Sequence, residues 1–162
     1  MSQVLTAKIG EIQIARAPAK LQALALGSCV GVVLYDKNTK IAALAHVLLP
    51  TEMNSDQGAN PGKFATTAIP EAIRMLETHG ASRKNLIAKI AGGAKMFETN
   101  TASNNLDIGR RNIDSVKKIL EGLGIRIVAE DVGENYGRTI IFDTETGMLT
   151  IRQVMNKKEY QI

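Results

Sequence analysis

The sequence predicts an α/β fold: one domain over residues 1–162, built as a layered α/β sandwich with a mostly antiparallel sheet and two main helices. Three observations lead there. The N-terminal third is a succession of short apolar runs, two later segments repeat apolar residues at helical spacing, and turn-forming clusters separate them. Hydrophobic residues make up 44% and charged residues 22% of the 162 positions, which suffices for one buried core and demands no second.

Ile9 to Ala15 alternates apolar and polar side chains, as a half-buried strand does. Leu21 to Leu26 and Val30 to Tyr35 are apolar runs parted by Gly27-Ser28-Cys29, and Ile41 to Leu49 is a third, stopped by Pro50. Asp36 to Lys40 is a polar turn cluster, so the runs on either side of it form a hairpin. Both faces of these strands are apolar, which predicts a sheet covered on both sides. Residues 51–62 mix Asn, Ser, Asp, Gly and Pro as loops do. A helix then runs to Thr78 with Phe64, Ala68, Ile69, Ala72, Ile73 and Leu76 in one stripe. Pro70 is expected to kink it or mark a restart, and Gly80 to cap it. A strand over 86–91, a Gly92-Gly93 loop and a helix over 110–121 follow, the helix carrying Ile113, Val116, Ile119 and Leu120. Strands over 125–128, 139–142 and 148–154, the last two around Glu145-Thr146-Gly147, end the chain.

Composition excludes several function classes. No apolar run approaches the roughly 20 residues of a membrane span, so no direct membrane insertion is expected. Met1 to Lys8 lacks the charged start and apolar stretch of a secretion signal. A single cysteine cannot form an internal disulfide, which suits a reducing cytoplasm. Lys plus Arg exceed Asp plus Glu by 20 to 16, a net charge of +4, and that mild excess would favour an acidic protein partner. The basic pairs Arg83-Lys84, Arg110-Arg111, Lys117-Lys118 and Lys157-Lys158 are scattered. With no Trp and aromatics at 4%, a base-stacking platform is lacking, and no nucleic-acid partner is expected. One cysteine and two histidines support no dedicated zinc site, so neither metal nor cofactor is expected. Gly92-Gly93 lacks the Lys-Ser/Thr ending of a phosphate-binding P-loop and reads as a strand-end turn or a loop lining a site.

The lone Cys29 is either a small core hydrophobe or a nucleophile, and a nucleophile needs a base within reach. His79 precedes Gly80 at a helix end and reads as a surface cap. His46 interrupts the otherwise apolar Ile41 to Leu49, as a satisfied core histidine or as that base. A two-residue loop at Lys37-Asn38, or a four-residue loop over 36–39, sets Cys29 directly across from His46 on one face, with Cβ atoms ~4.5–5.5 Å apart. In Gly27-Ser28-Cys29-Val30-Gly31, the first glycine permits a sharp turn and close substrate approach, and the backbone N–H groups near Gly27 and Ser28 are candidates for holding an oxyanion. The competing reading is a glycine-containing bend in a buried strand.

Leu26-Gly-Ser-Cys-Val-Gly-Val-Val-Leu-Tyr-Asp36 and Ala43-Leu-Ala-His-Val-Leu-Leu-Pro50 resemble the signature of the CheD family. The likeness continues through Ala91-Gly-Gly-Ala-Lys-Met-Phe97, Ile108-Gly-Arg-Arg-Asn112, Ala129-Glu-Asp-Val-Gly133, Gly137-Arg138 and the Thr146-Gly147 hairpin. The resemblance implies hydrolytic deamidation of glutamine side chains on methyl-accepting chemotaxis receptors, by a protein-glutamine glutaminase with its cysteine at Cys29 and its histidine at His46. It also implies binding of a CheC-type phosphatase, and an α/β sandwich shared with bacterial toxin deamidases. A threonine often found six residues before the cysteine is Ala23 here, so no hydroxyl orients the histidine from that position. The rival readings are an inactive adaptor that binds receptors or CheC, and a receptor methylesterase.

Overall fold

The computed structural model describes residues 3–53, 58–96 and 107–162. Residues 54–57 of the expected loop, and Phe97 at the end of one motif, lie outside the described residues. In chain order the strands are β1 (Val4–Thr6), β2 (Ile12–Arg16), β3 (Lys20–Leu26), β4 (Val30–Asp36), β5 (Ile41–Val47), β6 (Leu86–Gly92), β7 (Arg126–Val132), β8 (Arg138–Asp143), β9 (Leu149–Gln153) and β10 (Glu159–Gln161). Helix α1 (Ala65–Thr78) precedes β6 and helix α2 (Ile108–Gly122) follows it.

The fold is layered α/β with two main helices, as expected, but its strands divide between two five-stranded sheets, in the orders β1-β3-β8-β9-β10 and β2-β5-β4-β6-β7. The β1–β3 and β6–β7 pairings are parallel. The others are antiparallel. The short β1 and β10, which carry little apolar pattern, were not expected from the sequence, and β2 starts at Ile12 rather than Ile9.

Every residue of β4 and β5 is buried, which accounts for their unbroken apolar runs. Alternation along these strands builds two cores. Val30, Val32, Leu34, Ala43 and Ala45 pack with the apolar stripes of α1 and α2. Cys29, Val33, Tyr35, Ala42 and Leu44 face the other sheet and pack with Leu21, Ile140, Phe142 and Ile151. Each large side chain so buried stabilises the fold by about 1.5–3 kcal/mol. Polar contacts also tie the sheets together: the Tyr35 hydroxyl donates to the Thr144 carbonyl at 2.7 Å, and Lys89 Nζ donates to the carbonyls of Gly147 and Ile162, each at 2.8 Å.

Pro70 does not restart α1: the helix is continuous from Ala65 to Thr78. Pro70 lies on the exposed side, so the hydrogen bond its missing N–H denies to the Thr66 carbonyl is lost on the solvent-facing flank rather than in the core. The helix ends as Gly80 suggests. Gly80, at φ +103°, donates to Glu77 O at 3.1 Å, and Ala81 donates to Leu76 O at 3.0 Å, the paired bonds of a Schellman motif.

The β4–β5 hairpin differs from expectation in register. Asp36 pairs with Ile41, and His46 stands opposite Gly31, not opposite Cys29. The four-residue loop is 37–40 because Asp36 stays in the strand and caps the turn. Its Oδ1 accepts from the N–H groups of Asn38 and Thr39 at 2.9 and 3.3 Å, and its carbonyl accepts from Lys40 N–H at 2.8 Å. Lys40 adopts φ 56° to close the loop. The offset is two residues, an even number, so Cys29 and His46 keep a common face and become diagonal neighbours.

Candidate active site

Gly27, Ser28 and Cys29 carry the chain from β3 of one sheet to β4 of the other, and their carbonyls are all tied down. Gly27 O accepts from Ala94 N–H at 2.9 Å and Cys29 O from Gly93 N–H at 2.8 Å. Ser28 O accepts from Asn112 Nδ2 at 2.9 Å. The amide N–H groups of these three residues donate to no acceptor among the described residues. Loop Gly92-Gly93 does line the site. Gly92 has φ +110°, and a Cβ there would lie 2.3 Å from the Cys29 carbonyl, so no other residue fits without displacing the cysteine.

Cys29 is 6% exposed and His46 is 4% exposed. His46 belongs to the inter-sheet face by alternation with Ala42 and Leu44, the face on which Cys29 packs. Gly31, opposite the imidazole, leaves room that Ile140 of the other sheet fills: a Cβ on Gly31 would come within 2.6 Å of Ile140 Cδ1. His46 Nδ1 lies 2.9 Å from the Ala7 carbonyl. A carbonyl only accepts, so Nδ1 carries the proton and Nε2 presents its lone pair. Nε2 is buried and has no hydrogen-bond partner among the described residues, the cysteine thiol included. Ala7 is held in turn by its N–H donating to Gln22 O at 2.9 Å.

Ala23 is fully buried in the same inter-sheet layer, paired with Ile140. The position that carries no hydroxyl is therefore filled by packing, and a backbone carbonyl orients the histidine. His79 is the exposed helix cap expected of it, with Nδ1 2.7 Å from Met75 O.

Burial sets the protonation states. It pushes the Cys29 thiol up to about 11. It also lowers His46 below its ordinary value, an effect that outweighs the Ala7 hydrogen bond and the field of Glu11. The resting pair is therefore a neutral thiol and a neutral imidazole, not a thiolate and an imidazolium.

Two buried polar residues that support this loop appear in the sequence motifs without a role. Asn112 of α2 reaches Ser28 O and also Leu48 O, each at 2.9 Å. Arg138 of β8 is fully buried, with Nε 3.3 Å from Asp131 Oδ2, Nη1 3.4 Å from Gly92 O, and its guanidinium carbon 4.5 Å from the centre of the Tyr136 ring. The available signal for Asn112 was a polar side chain at the start of the apolar stripe that runs on through Ile113 and Val116.

Layers, crossing loop and buried pair define a class: an α/β protein with a cysteine and a histidine enclosed between two sheets, the histidine oriented by a carbonyl. Comparison with known proteins narrows this. Residues 48–153 match the family model described as "CheD chemotactic sensory transduction". A protein of Clostridium novyi named "Probable chemoreceptor glutamine deamidase CheD" is 49% identical over 146 residues, 90% of each chain. A protein of the same name from Methanococcus vannielii is 45% identical over 150 residues, 93% of this chain and 95% of that one. "Probable chemoreceptor glutamine deamidase CheD 1" of Methanosarcina acetivorans is 46% identical over 147 residues, 91% of this chain and 90% of its own. The chain belongs to the CheD family.

Proposed function

We propose that this chain is a protein-glutamine glutaminase that deamidates glutamine side chains of methyl-accepting chemotaxis receptors in the cytoplasm, with Cys29 as nucleophile and His46 as its proton-transfer partner. The observation that carries the reading is the unpartnered, buried Nε2 of His46 on the face it shares with Cys29. An orphaned buried acceptor costs about 1–3 kcal/mol, a cost retained where the lone pair is used.

The thiol attacks the glutamine side-chain carbonyl carbon while Nε2 takes its proton, forming the C–S bond. Because the resting thiol is neutral, attack and proton transfer are coupled. The oxyanion is held by backbone N–H groups of the Gly27–Cys29 turn, around Gly27 and Ser28. Nε2 then gives the proton to the departing nitrogen, ammonia leaves, and a thioester remains. Water attacks the thioester with Nε2 taking a proton, the C–S bond breaks, and the products are glutamate and the Cys29 thiol. The Ala7 carbonyl holds the ring in one tautomer throughout.

The experiment is incubation with receptor cytoplasmic domains followed by peptide mass mapping. Conversion of glutamine to glutamate, with release of ammonia, is the expected result. Unchanged receptor mass would favour the adaptor reading, which Ala23 and the raised Cys29 pKa motivate, and methanol release would mark a methylesterase. The same purified chain is expected to bind a CheC-type phosphatase.

A further inference from the structure

Asn112 is completely buried, and its side-chain amide joins two segments that are 20 residues apart in sequence: Nδ2 donates to Ser28 O and to Leu48 O, both at 2.9 Å. Both partners are carbonyls, so this orientation of the amide is the one that chemistry allows. Ser28 directly precedes Cys29, and Leu48 lies two residues beyond His46. Asn112 Oδ1 has no partner among the described residues although it is buried. A structural asparagine that leaves one end unsatisfied in the core is a net liability unless the other end does something an apolar residue cannot. The end of α2 that carries it is seated tightly: a Cβ on Gly109 would lie 2.4 Å from Ala94 O, and one on Gly93 would lie 2.4 Å from Ile113 Cγ1.

We infer that Asn112 is a positioning residue: one amide group sets the nucleophile turn and the end of the histidine strand relative to each other, and so fixes the approach of Cys29 Sγ to His46 Nε2. The β4–β5 ladder cannot do this alone. It ends at the Val30–Val47 pair, leaving Cys29 outside regular pairing on that side. The inference rests on the proposed Cys29–His46 reaction, and the test below keeps the two apart.

Asn112→Leu removes both donors at similar volume, and Val116→Ala cuts a cavity in the same buried stripe of α2 without touching the turn. Each is assayed for receptor deamidation and, independently of any substrate, for the pH profile of Cys29 alkylation by iodoacetamide. The expected result is a fall in kcat of about 100-fold for Asn112→Leu with KM little changed, and an alkylation profile displaced from wild type. Val116→Ala should lower the melting temperature and leave kcat and profile alone. Equal losses of kcat in the two variants, or a wild-type profile in Asn112→Leu, would overturn the inference. Wild type that alkylates normally but never deamidates would sink the proposed reaction instead, with the alkylation comparison still deciding the role of Asn112. If Asn112→Leu does not fold, the side-chain amide resonances of Asn112 in the wild-type chain serve. Alkylation of Cys29 should shift them, and resonances that stay put while those of residues 27–30 move would also overturn it.

Discussion

The imidazole of His46 donates from Nδ1 to the Ala7 carbonyl at 2.9 Å, a bond that crosses from one sheet to the chain leaving β1 of the other. The orienting group of the candidate site is thus a main-chain atom, anchored by the Ala7 N–H on Gln22 O. No substitution at Ala7 removes the carbonyl, and only proline would remove the N–H that anchors it.

With that bond in place, the hydroxyl missing at position 23 is expected to be dispensable. Ala23→Thr is expected to leave kcat within a factor of about two and to destabilise the fold by roughly 1–3 kcal/mol, since Ala23 is fully buried and extra atoms must displace neighbours. Urea denaturation alongside the deamidation assay checks both. A large gain in kcat would mean that the carbonyl orients the ring poorly.

Cys29→Ser should abolish deamidation and preserve the fold. A hydroxyl is far less acidic than a thiol, and the buried site already disfavours the anion. Circular dichroism and receptor mass mapping measure the two halves. Undiminished conversion by the serine variant would remove Cys29 from the mechanism.

The hairpin, the two helices, the buried status of β4 and β5 and the shared face of Cys29 and His46 were all legible, because alternation and helical spacing report burial directly. The register was not. Asp36 reads as a turn former, yet its carboxylate accepts N–H bonds from Asn38, Thr39 and, through Oδ2 at 2.8 Å, Ser82, and this keeps it in the strand. Ser82 is remote in sequence, so nothing local announces that contact. The same holds for Ala7, whose role is played by a backbone atom no side-chain pattern encodes, for Asn112, whose partners are the carbonyls of Ser28 and Leu48, and for the contact of Arg138 with the distant Gly92 carbonyl.

The pH profile of Cys29 alkylation should lack an acid-side shoulder. With the thiol pushed up to about 11 and His46 lowered, each chiefly by burial, a thiolate–imidazolium pair is not the resting state. Reactivity toward iodoacetamide is therefore expected to rise through the alkaline range. His46→Ala opens the pocket to water and should bring the midpoint down toward the ordinary ~8.5. An identical profile in the two proteins would argue that the residues do not share an environment.

Stability should respond to acid through two groups in separate windows. The His46 pKa is lowered in the fold, so the unfolded chain takes up its proton first. The contribution is whole above the ordinary histidine value of about 6.5 and is lost as pH falls from there through the folded value. Burial raises the Asp36 pKa, but hydrogen bonds from Ser82, Asn38 and Thr39 outweigh it and hold it below the usual carboxylate range, so its contribution is whole above the ordinary carboxylate value and is lost as pH falls from there through the lower folded value. Urea midpoints measured against pH should show the first loss vanish in His46→Gln and the second in Asp36→Asn. Asp36→Ala should cost about 1–3 kcal/mol at neutral pH, since three part-buried N–H groups lose their acceptor. A flat midpoint in wild type between pH 7 and the carboxylate range would contradict the assignment of His46 as a buried neutral group.

Inserting one glycine after Asn38 tests how strongly the register is held. Two outcomes compete: the loop over 37–40 absorbs the residue, or β5 slips by one and turns its faces over. Lengthening a loop by one residue costs only a few tenths of a kcal/mol in closure entropy. Slipping β5 would carry His46 away from the Ala7 carbonyl and into the layer of Ala43, Ala45 and the helices, leaving an unsatisfied buried ring N–H at about 1–3 kcal/mol. It would also break the β2–β5 register, in which Ile12 pairs with Ala45 and Arg16 with Ile41. Absorption is the cheaper course. The insertion variant should therefore keep its deamidation rate, its dependence on His46 and the amide-exchange pattern of β5, and lose some stability from the disturbed Asp36 cap. An inverted exchange pattern in β5, with alkylation of Cys29 made indifferent to His46→Ala, would mean that the turn, and not the two cores, dictates which face the histidine takes.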